Sequence, residues 1–478
     1  MERMTWDVAV ISREPAAAAP LLASLQRHGL RSGWLDLPEL LERSTRWPHH
    51  RPEVLLLLDG NLLAPLRSGW MHQEQLTELP LLVLVEQDSL DQAPDLLAAG
   101  ACDVWSRTLP EALLVRRLQL QIQLKRQERA LAKQLRYEAA VAACARLLVA
   151  RGPHQEQHLQ RVVELLQTAT AVSRAYLFRN HHDPEHGLRV SQLHEACAAG
   201  IAPQIANPQL QDQPFAEDAP NALKLLSAGE PFVGLVEELP EPERQLLSSQ
   251  SIVSVLILPI FADEQFWGFM GFDDCVQATT WQRDEIALLR IVAETVGLAI
   301  ERNRAERELY RMAIRDALTG LYNRRYLGQQ LDCLVNQARR QHLRFAIAIL
   351  DLDWFKQIND SHGHPVGDQV LCHFARALEG GSRPYDLVGR YGGEEFLLVL
   401  LHAGPTQLNQ RLERLRRDLE SSPLVHQGQP IPITFSAGLA GSTELAGPPS
   451  AEALVALADR RLYRAKEEGR NRSEVTGE

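Results

Sequence analysis

The stretch Leu387-Val388-Gly389-Arg390-Tyr391-Gly392-Gly393-Glu394-Glu395-Phe396-Leu397-Leu398-Val399-Leu400 decides how the C-terminal third folds. Its two apolar arms read as strands turned back on each other, a β-hairpin with Gly-Gly-Glu-Glu at the bend. Two glycines permit a tight turn with positive φ and the close approach of a ligand, and two adjacent acids present carboxylates at the tip. Upstream, Phe345-Ala346-Ile347-Ala348-Ile349-Leu350 is apolar on both faces and therefore a buried strand. It delivers Asp351 to its carboxyl end, where α/β proteins commonly place ligand-binding residues.

Alone, a Gly-Gly-Glu-Glu turn is a solvated hairpin tip. Its pairing with Asp351 changes that reading, because hard oxygen ligands from neighbouring strands are what two Mg2+ ions need when they bridge a triphosphate. Such ions lower the pKa of an attacking hydroxyl and neutralise a leaving pyrophosphate.

Around these residues stand Asp316-Ala317-Leu318-Thr319-Gly320-Leu321-Tyr322-Asn323-Arg324-Arg325, Asp351-Leu352-Asp353-Trp354-Phe355-Lys356-Gln357-Ile358-Asn359-Asp360, Gly363-His364 and Gly367-Asp368. Ala458-Asp459, Leu462-Tyr463, Ala465-Lys466 and Gly469-Arg470-Asn471 follow. In this order they resemble the GGDEF family, the diguanylate cyclases, over about one third of the chain. The resemblance implies a nucleotidyl-cyclase-like α/β fold that condenses two GTP molecules into cyclic di-GMP and two pyrophosphates. It implies that Asp351, the Leu352 carbonyl and Glu394 or Glu395 hold Mg2+, two per active site, with Mn2+ as an alternative. Glu394 is then the usual base for the 3′-hydroxyl, with Glu395 beside it as the second catalytic carboxylate.

The same resemblance assigns guanine to Asn359 and Asp368, since a carboxylate accepts from N1–H and the 2-amino group while an amide complements the same edge. Phe355 and Lys356 would form the turn whose backbone amides meet the β- and γ-phosphates, helped by the side chains of Lys466 and Arg470. Without the family, Lys466 and Arg470 would be solvated charges on a C-terminal helix. Arg383-Pro384-Tyr385-Asp386 ends five residues before Gly392, the offset of the family's RxxD product-inhibition site. Arg383 and Asp386 would there bind cyclic di-GMP, with Arg414 as a candidate second contact.

Working outward, 478 residues are too many for one core, and a prior of ~100–200 residues per domain suggests three. An apolar fraction of 45% and a charged fraction of 23% are those of a globular chain. A net charge of -11 argues against a duplex nucleic-acid binder but not against a nucleotide site, which needs only local donors and metal. The six cysteines form no C-x-x-C pair, which disfavours zinc and fits reduced thiols of a cytoplasmic protein. No apolar run reaches the ~18 residues of a membrane helix, and the N-terminus lacks a signal-peptide core.

Residues 6 to about 110 alternate aliphatic runs (Val8–Ile11, Val54–Leu58, Leu81–Val85, Cys102–Trp105) with polar stretches, the rhythm of a parallel α/β sheet. With Asp59 closing a strand, this part resembles a response-regulator receiver. The resemblance is degenerate: Ile11-Ser12-Arg13-Glu14-Pro15 lacks the acidic pair, Glu86 replaces a hydroxyl and Arg107 the final lysine. Asp59 is therefore a disfavoured phosphoacceptor, and a protein-contact role is preferred.

From Pro110 to Ala150, Leu113, Leu114, Leu118, Ile122, Leu131 and Leu135 recur at helical spacing and predict a connecting helix. Next come a helix (Leu159–Thr168), a strand (Arg174–Arg179), the run Ile252–Phe261, the hairpin-like Phe266–Phe272 and a final helix from Trp281 to Ile300. These resemble a GAF domain, which implies a pocket for a ligand the sequence does not identify, or dimerisation alone. His181, His182 and His186 read as a solvated loop rather than a metal site. Between Asp284 and Arg315 one long helix is expected, with Leu289, Val292, Val296 and Ala299 as a partial heptad seam.

The expected organisation is thus α/β and α+β multidomain: a receiver-like parallel sheet over 1–125, a GAF-like α+β sensor over 137–302 and the cyclase-like domain over 313–478, joined by long helices. Its partners would be GTP, cyclic di-GMP and a second copy of itself, with neither nucleic acid nor membrane. The rival readings are a catalytically silent cyclic di-GMP receptor and a scaffold.

Overall fold

The computed structural model describes residues 6–44, 52–58, 60–63, 79–150, 155–185, 187–341, 343–383, 385–444 and 450–475. The chain divides into two units, Met1–Glu301 and Arg302–Glu478. Among the described residues no helix is long and apolar enough to cross a membrane.

In the first unit, β1 (Val8–Ile11), β2 (Ser32–Leu35), β3 (Val54–Leu57), β4 (Leu81–Val85) and β5 (Asp103–Ser106) form a wholly parallel sheet in the order β2-β1-β3-β4-β5. The central strands β1, β3 and β4 are apolar throughout because both faces are covered: Ala9, Ile11, Leu55 and Leu57 enter one core, Val8, Val10, Leu56 and Leu84 the other. Helices α1 (Pro15–Arg27), α2 (Leu37–Ser44) and α3 (Ala93–Ala98) connect them. The aliphatic rhythm does not predict β2, whose Ser-Gly-Trp-Leu is short and weakly patterned; Gly33 there lies flat against the Trp6 ring. Asp59 lies outside the described residues. Arg107 pairs with Glu86 at 3.3 Å and donates to the Leu58 carbonyl, so the two departures from the receiver pattern partner each other.

A single 39-residue helix, α4 (Glu111–Val149), leaves this sheet. Leu114, Leu118 and Ile122 pack into the first sheet's core and Cys144 and Leu148 into the next. Leu113, Leu131 and Leu135, read from the sequence as part of the same apolar face, instead point away and are 43%, 58% and 56% exposed.

The second sheet follows α5 (Gln155–Thr170) and comprises β6 (Arg174–Asp183), β7 (Gly187–Cys197), β8 (Gln213–Pro214), β9 (Phe232–Leu235), β10 (Ser254–Ala262) and β11 (Gln265–Asp274), ordered β8-β7-β6-β11-β10-β9. One face packs on α4, α5 and α9 (Arg283–Ile314), through Leu177, Leu258, Val163 and Val292. The other is covered by α6 (Phe215–Asp218), α7 (Pro220–Ser227) and α8 (Glu243–Ser249) around Tyr176, Phe178 and Phe269. Two expectations are corrected here. His181 and His182 belong to β6, paired with Arg189 and Leu188, because the ladder carries on through polar residues; His186 lies outside the described residues. Leu289, Val292, Val296 and Ala299 are no free seam but the buried face of α9 in this core, while Ile291 and Leu298 face outward.

In the second unit, α10 (Arg324–Gln341), β12 (Phe345–Leu352), α11 (Phe355–His362), α12 (His364–Gly380), β13 (Leu387–Arg390), β14 (Glu395–Leu401), α13 (Pro405–Ser421), the small hairpin β15 (Leu424–His426) and β16 (Gln429–Ile431), β17 (Phe435–Gly441), α14 (Ala451–Glu467) and β18 (Ser473–Glu474) follow in turn. The sheet order is β13-β14-β12-β17-β18. On central β12, Phe345, Ile347 and Ile349 meet Leu327, Leu331 and Leu454 of α10 and α14, whereas Ala346, Ala348 and Leu350 meet Phe374 of α12 and Leu412 of α13. That two-sided burial is why the run is continuously apolar.

Candidate active site

β12 ends at a polar corner, and the sheet register sets its geometry. Asp351 lies opposite Glu395 of β14 and Ser436 of β17, so the two carboxylates project from the same face of neighbouring strands. The hairpin of β13 and β14 forms as read, but its glycines work differently from the expectation. Neither Gly392 nor Gly393 has positive φ. A Cβ at Gly392 would run into the Glu395 carboxylate, so glycine leaves that side chain its place, while a Cβ at Gly393 would point into open space. Arg390 fixes that tip: its Nη2 donates to the Gly393 carbonyl at 2.7 Å and its Nη1 to Asp316 at 3.3 Å. Neither the type nor the spacing of Arg390 and Asp316 in the sequence points to this work.

Asp351 is 6% exposed, and Lys466 of α14 pairs with it at 2.7 Å. Burial raises the Asp351 pKa, opposed by Lys466. Burial also raises Glu394 and Glu395, and the charge of Asp351 pushes both further. Asp459 adds to the push on Glu395, which shares a cleft with Arg324, Tyr391 and Asp459. Three carboxylates that hinder one another's ionisation form a site that gains from a cation.

Among the described residues no three His, Cys, Asp or Glu side chains close into a ready-made metal cage. Mg2+ does not require one: it keeps waters and takes one or two carboxylates plus substrate phosphates. The donors present, Asp351, Glu394, Glu395 and the backbone at Leu352, suit such an ion in kind, and Lys466 already places a cation on Asp351.

The next residues build the other walls. Asp353, 5% exposed, accepts from the Ser436 hydroxyl at 2.7 Å and from the Asn471 amide at 2.9 Å, tying the β12–α11 corner to the loop after α14. Phe355 and Lys356 open α11, where the first amides of a helix have no intrahelical acceptor. On α11 the Asn359 Oδ1 is buried without a hydrogen-bond partner. A Cβ at Gly367 of α12 would strike that oxygen, so glycine keeps the space in which Asn359 sits. Asp368, next along α12, is exposed.

Arg383 and Asp386 stand at the other end of β13, about 14 Å from the tip for a four-residue strand. They close a turn on themselves: Asp386 accepts from the Arg383 amide at 2.9 Å, and Arg383 donates to the Tyr385 hydroxyl at 2.8 Å. Pro384 lies outside the described residues. Arg414 lines a concavity with Gly381, Arg411 and Arg417.

The first unit holds a partly open pocket on the second sheet, with Phe178, Phe215, Phe232 and Phe269 on its walls and Arg174, Gln192 and Asp273 among its polar groups.

The two sites lie within regions that match known protein families. Residues 313–472 match the family model "Diguanylate cyclase, GGDEF domain", and residues 154–300 match the GAF domain model; the chain carries both domains. It is 42% identical over 163 residues to the diguanylate cyclase DgcP of Pseudomonas aeruginosa, covering 34% of this chain and 24% of that protein. To the response regulator PleD of Caulobacter vibrioides it is 39% identical over 162 residues, 34% of this chain and 35% of the relative. To the methanogenesis regulatory histidine kinase FilI of Methanothrix harundinacea it is 40% identical over 156 residues, 33% of this chain and 18% of the relative. The chain thus spans about a third or less of the length of these relatives. The solved coiled coil and GGDEF domain of DgcB from Caulobacter crescentus, in complex with c-di-GMP, is 30% identical, with 41% of this chain and 100% of that one covered and a TM-score of 0.36.

Proposed function

We propose that the chain is a diguanylate cyclase that converts two GTP into cyclic di-GMP and two pyrophosphates. The observation that carries this reading is the register of Asp351 against Glu395 on adjacent strands, with Glu394 beside them and Lys466 on Asp351. Bound Mg2+, or Mn2+ in its place, would supply charge neutralisation at the triphosphate and a lowered pKa for the attacking hydroxyl. Asp351, Glu394, Glu395 and the Leu352 carbonyl would hold it.

The chain's own residues do the rest. Asn359 and Asp368 read the guanine edge. The amides of Phe355 and Lys356, with Lys466 and Arg470, orient the β- and γ-phosphates. Glu394 takes the proton from the 3′-hydroxyl; its raised pKa makes it a better base than an ordinary carboxylate. The product requires each 3′-hydroxyl to attack the other nucleotide's α-phosphorus, and one domain offers one guanine pocket. Two copies must therefore meet, with the upstream domains controlling the encounter. Arg383 and Asp386 form the product-inhibition site, and the GAF cavity takes the regulatory ligand. The receiver-like sheet serves protein contacts.

The test is incubation of the purified chain with GTP and Mg2+, or with ATP, followed by mass identification of products. Cyclic di-GMP from GTP alone, abolished by Glu395→Ala, is expected. Absence of product from a folded dimer that still binds cyclic di-GMP would replace this reading with a silent receptor.

A further inference from the structure

Trp354 stands where the metal-site corner becomes the phosphate turn, and no role has fallen to it. It is 53% exposed and has φ of 60°, a left-handed conformation that a bulky side chain rarely adopts. Facing it is a second such residue, Arg470 with φ of 64°. The Arg470 guanidinium lies 4.0 Å from the Trp354 ring centroid, a close cation–π stack. Directly beside this contact, Asp353 binds the Asn471 amide. Successive residues of one corner thus hold successive residues of the other loop: Asp353 fixes its backbone, Trp354 its side chain.

The choice of an indole has a chemical meaning. A carboxylate partner would occupy the guanidinium N–H groups and cancel their charge. A ring face attracts the cation while leaving all five N–H donors for another acceptor. Among the described residues no carboxylate pairs with Arg470. Strain retained on both sides of one contact marks a place where geometry is held for use.

We propose that Trp354 is a positioning residue for substrate, stacking Arg470 in advance so that its free N–H fork receives the GTP phosphates without first having to be ordered. This rests on the assignment of Arg470 to the phosphates made above.

The test uses the full-length chain and two probes: a non-reactive GTP analogue with an α,β-methylene bridge, and guanosine, which has no phosphate. Trp354→Gly relieves the left-handed φ and removes the ring; Trp354→Phe keeps a ring. For Trp354→Gly, affinity for the analogue should fall about three- to tenfold, the range of a half-exposed cation–π contact. Guanosine affinity should hold, the melting temperature should hold or rise, and KM for GTP should rise with kcat unchanged. Trp354→Phe should recover most of the loss. Unchanged analogue affinity in Trp354→Gly, or an equal loss for both probes, overturns the proposal. A wild-type chain that binds neither probe instead overturns the cyclase reading itself.

Discussion

If Asn359 reads the guanine edge as proposed, that recognition turns on Gly367, because its missing side chain is the room that the Asn359 amide occupies. Gly367→Ala should displace Asn359 and leave the base edge unmatched, a loss of about 1–3 kcal/mol, or roughly tenfold in KM for GTP. Calorimetric titration with guanosine checks it; unchanged affinity would remove Asn359 from the base site. In the other unit, Asp273 accepts from the Tyr176 hydroxyl at 2.8 Å, and burial pushes its pKa to about 7 against the pull of Arg174. The folded chain therefore keeps a proton that the unfolded chain releases near 3.8, so this group's contribution to stability declines as pH rises from about 4 to about 7. Asp273→Asn should flatten that slope, melting higher than wild type at pH 8 and level with it near pH 4. Parallel melting curves at the two pH values decide it.

At the scale of elements, α9 has one face in a core and one in solvent, and the two should answer mutation differently. Val296→Ala should cost roughly 2 kcal/mol by leaving a cavity among Leu177, Leu258 and Phe272, whereas Leu298→Ala on the outer face should stay within about 0.5 kcal/mol. Denaturant titration of both variants makes the comparison. This helix also marks where the sequence stopped being legible. Spacing predicted a long helix correctly, but spacing alone does not say which stripe a neighbouring sheet will cover, so Leu289 and Val292 were read as a seam. The same holds for Leu131 and Leu135 on α4. By contrast β12 was readable because burial on both faces leaves an unbroken apolar run, and the β13–β14 hairpin because Gly-Gly-Glu-Glu interrupts two such runs. What pattern could not supply was the contact between loops distant in sequence: Asp353 on Asn471, Arg390 on Gly393, the empty side of Gly367. The acids were legible as residues, their mutual effect on ionisation only as geometry.

For the molecule as a whole, two units predict two thermal transitions. A GTP analogue with Mg2+ should raise only the transition of residues 302–478, by about 2.7 kcal/mol at a concentration 100-fold above its Kd. Scanning calorimetry with and without the analogue tests it, and a shift of both transitions would place the nucleotide elsewhere. Helix α4 bears on a different question, how such chains can be rebuilt. It feeds Leu118 and Ile122 to one core and Cys144 and Leu148 to another without a break. Each residue spliced between Ile122 and Tyr137 would turn the downstream face by about 100°. It acts as a keyed shaft: a foreign input module grafted onto it will engage only when the splice adds close to whole turns, in steps of about seven or eleven residues.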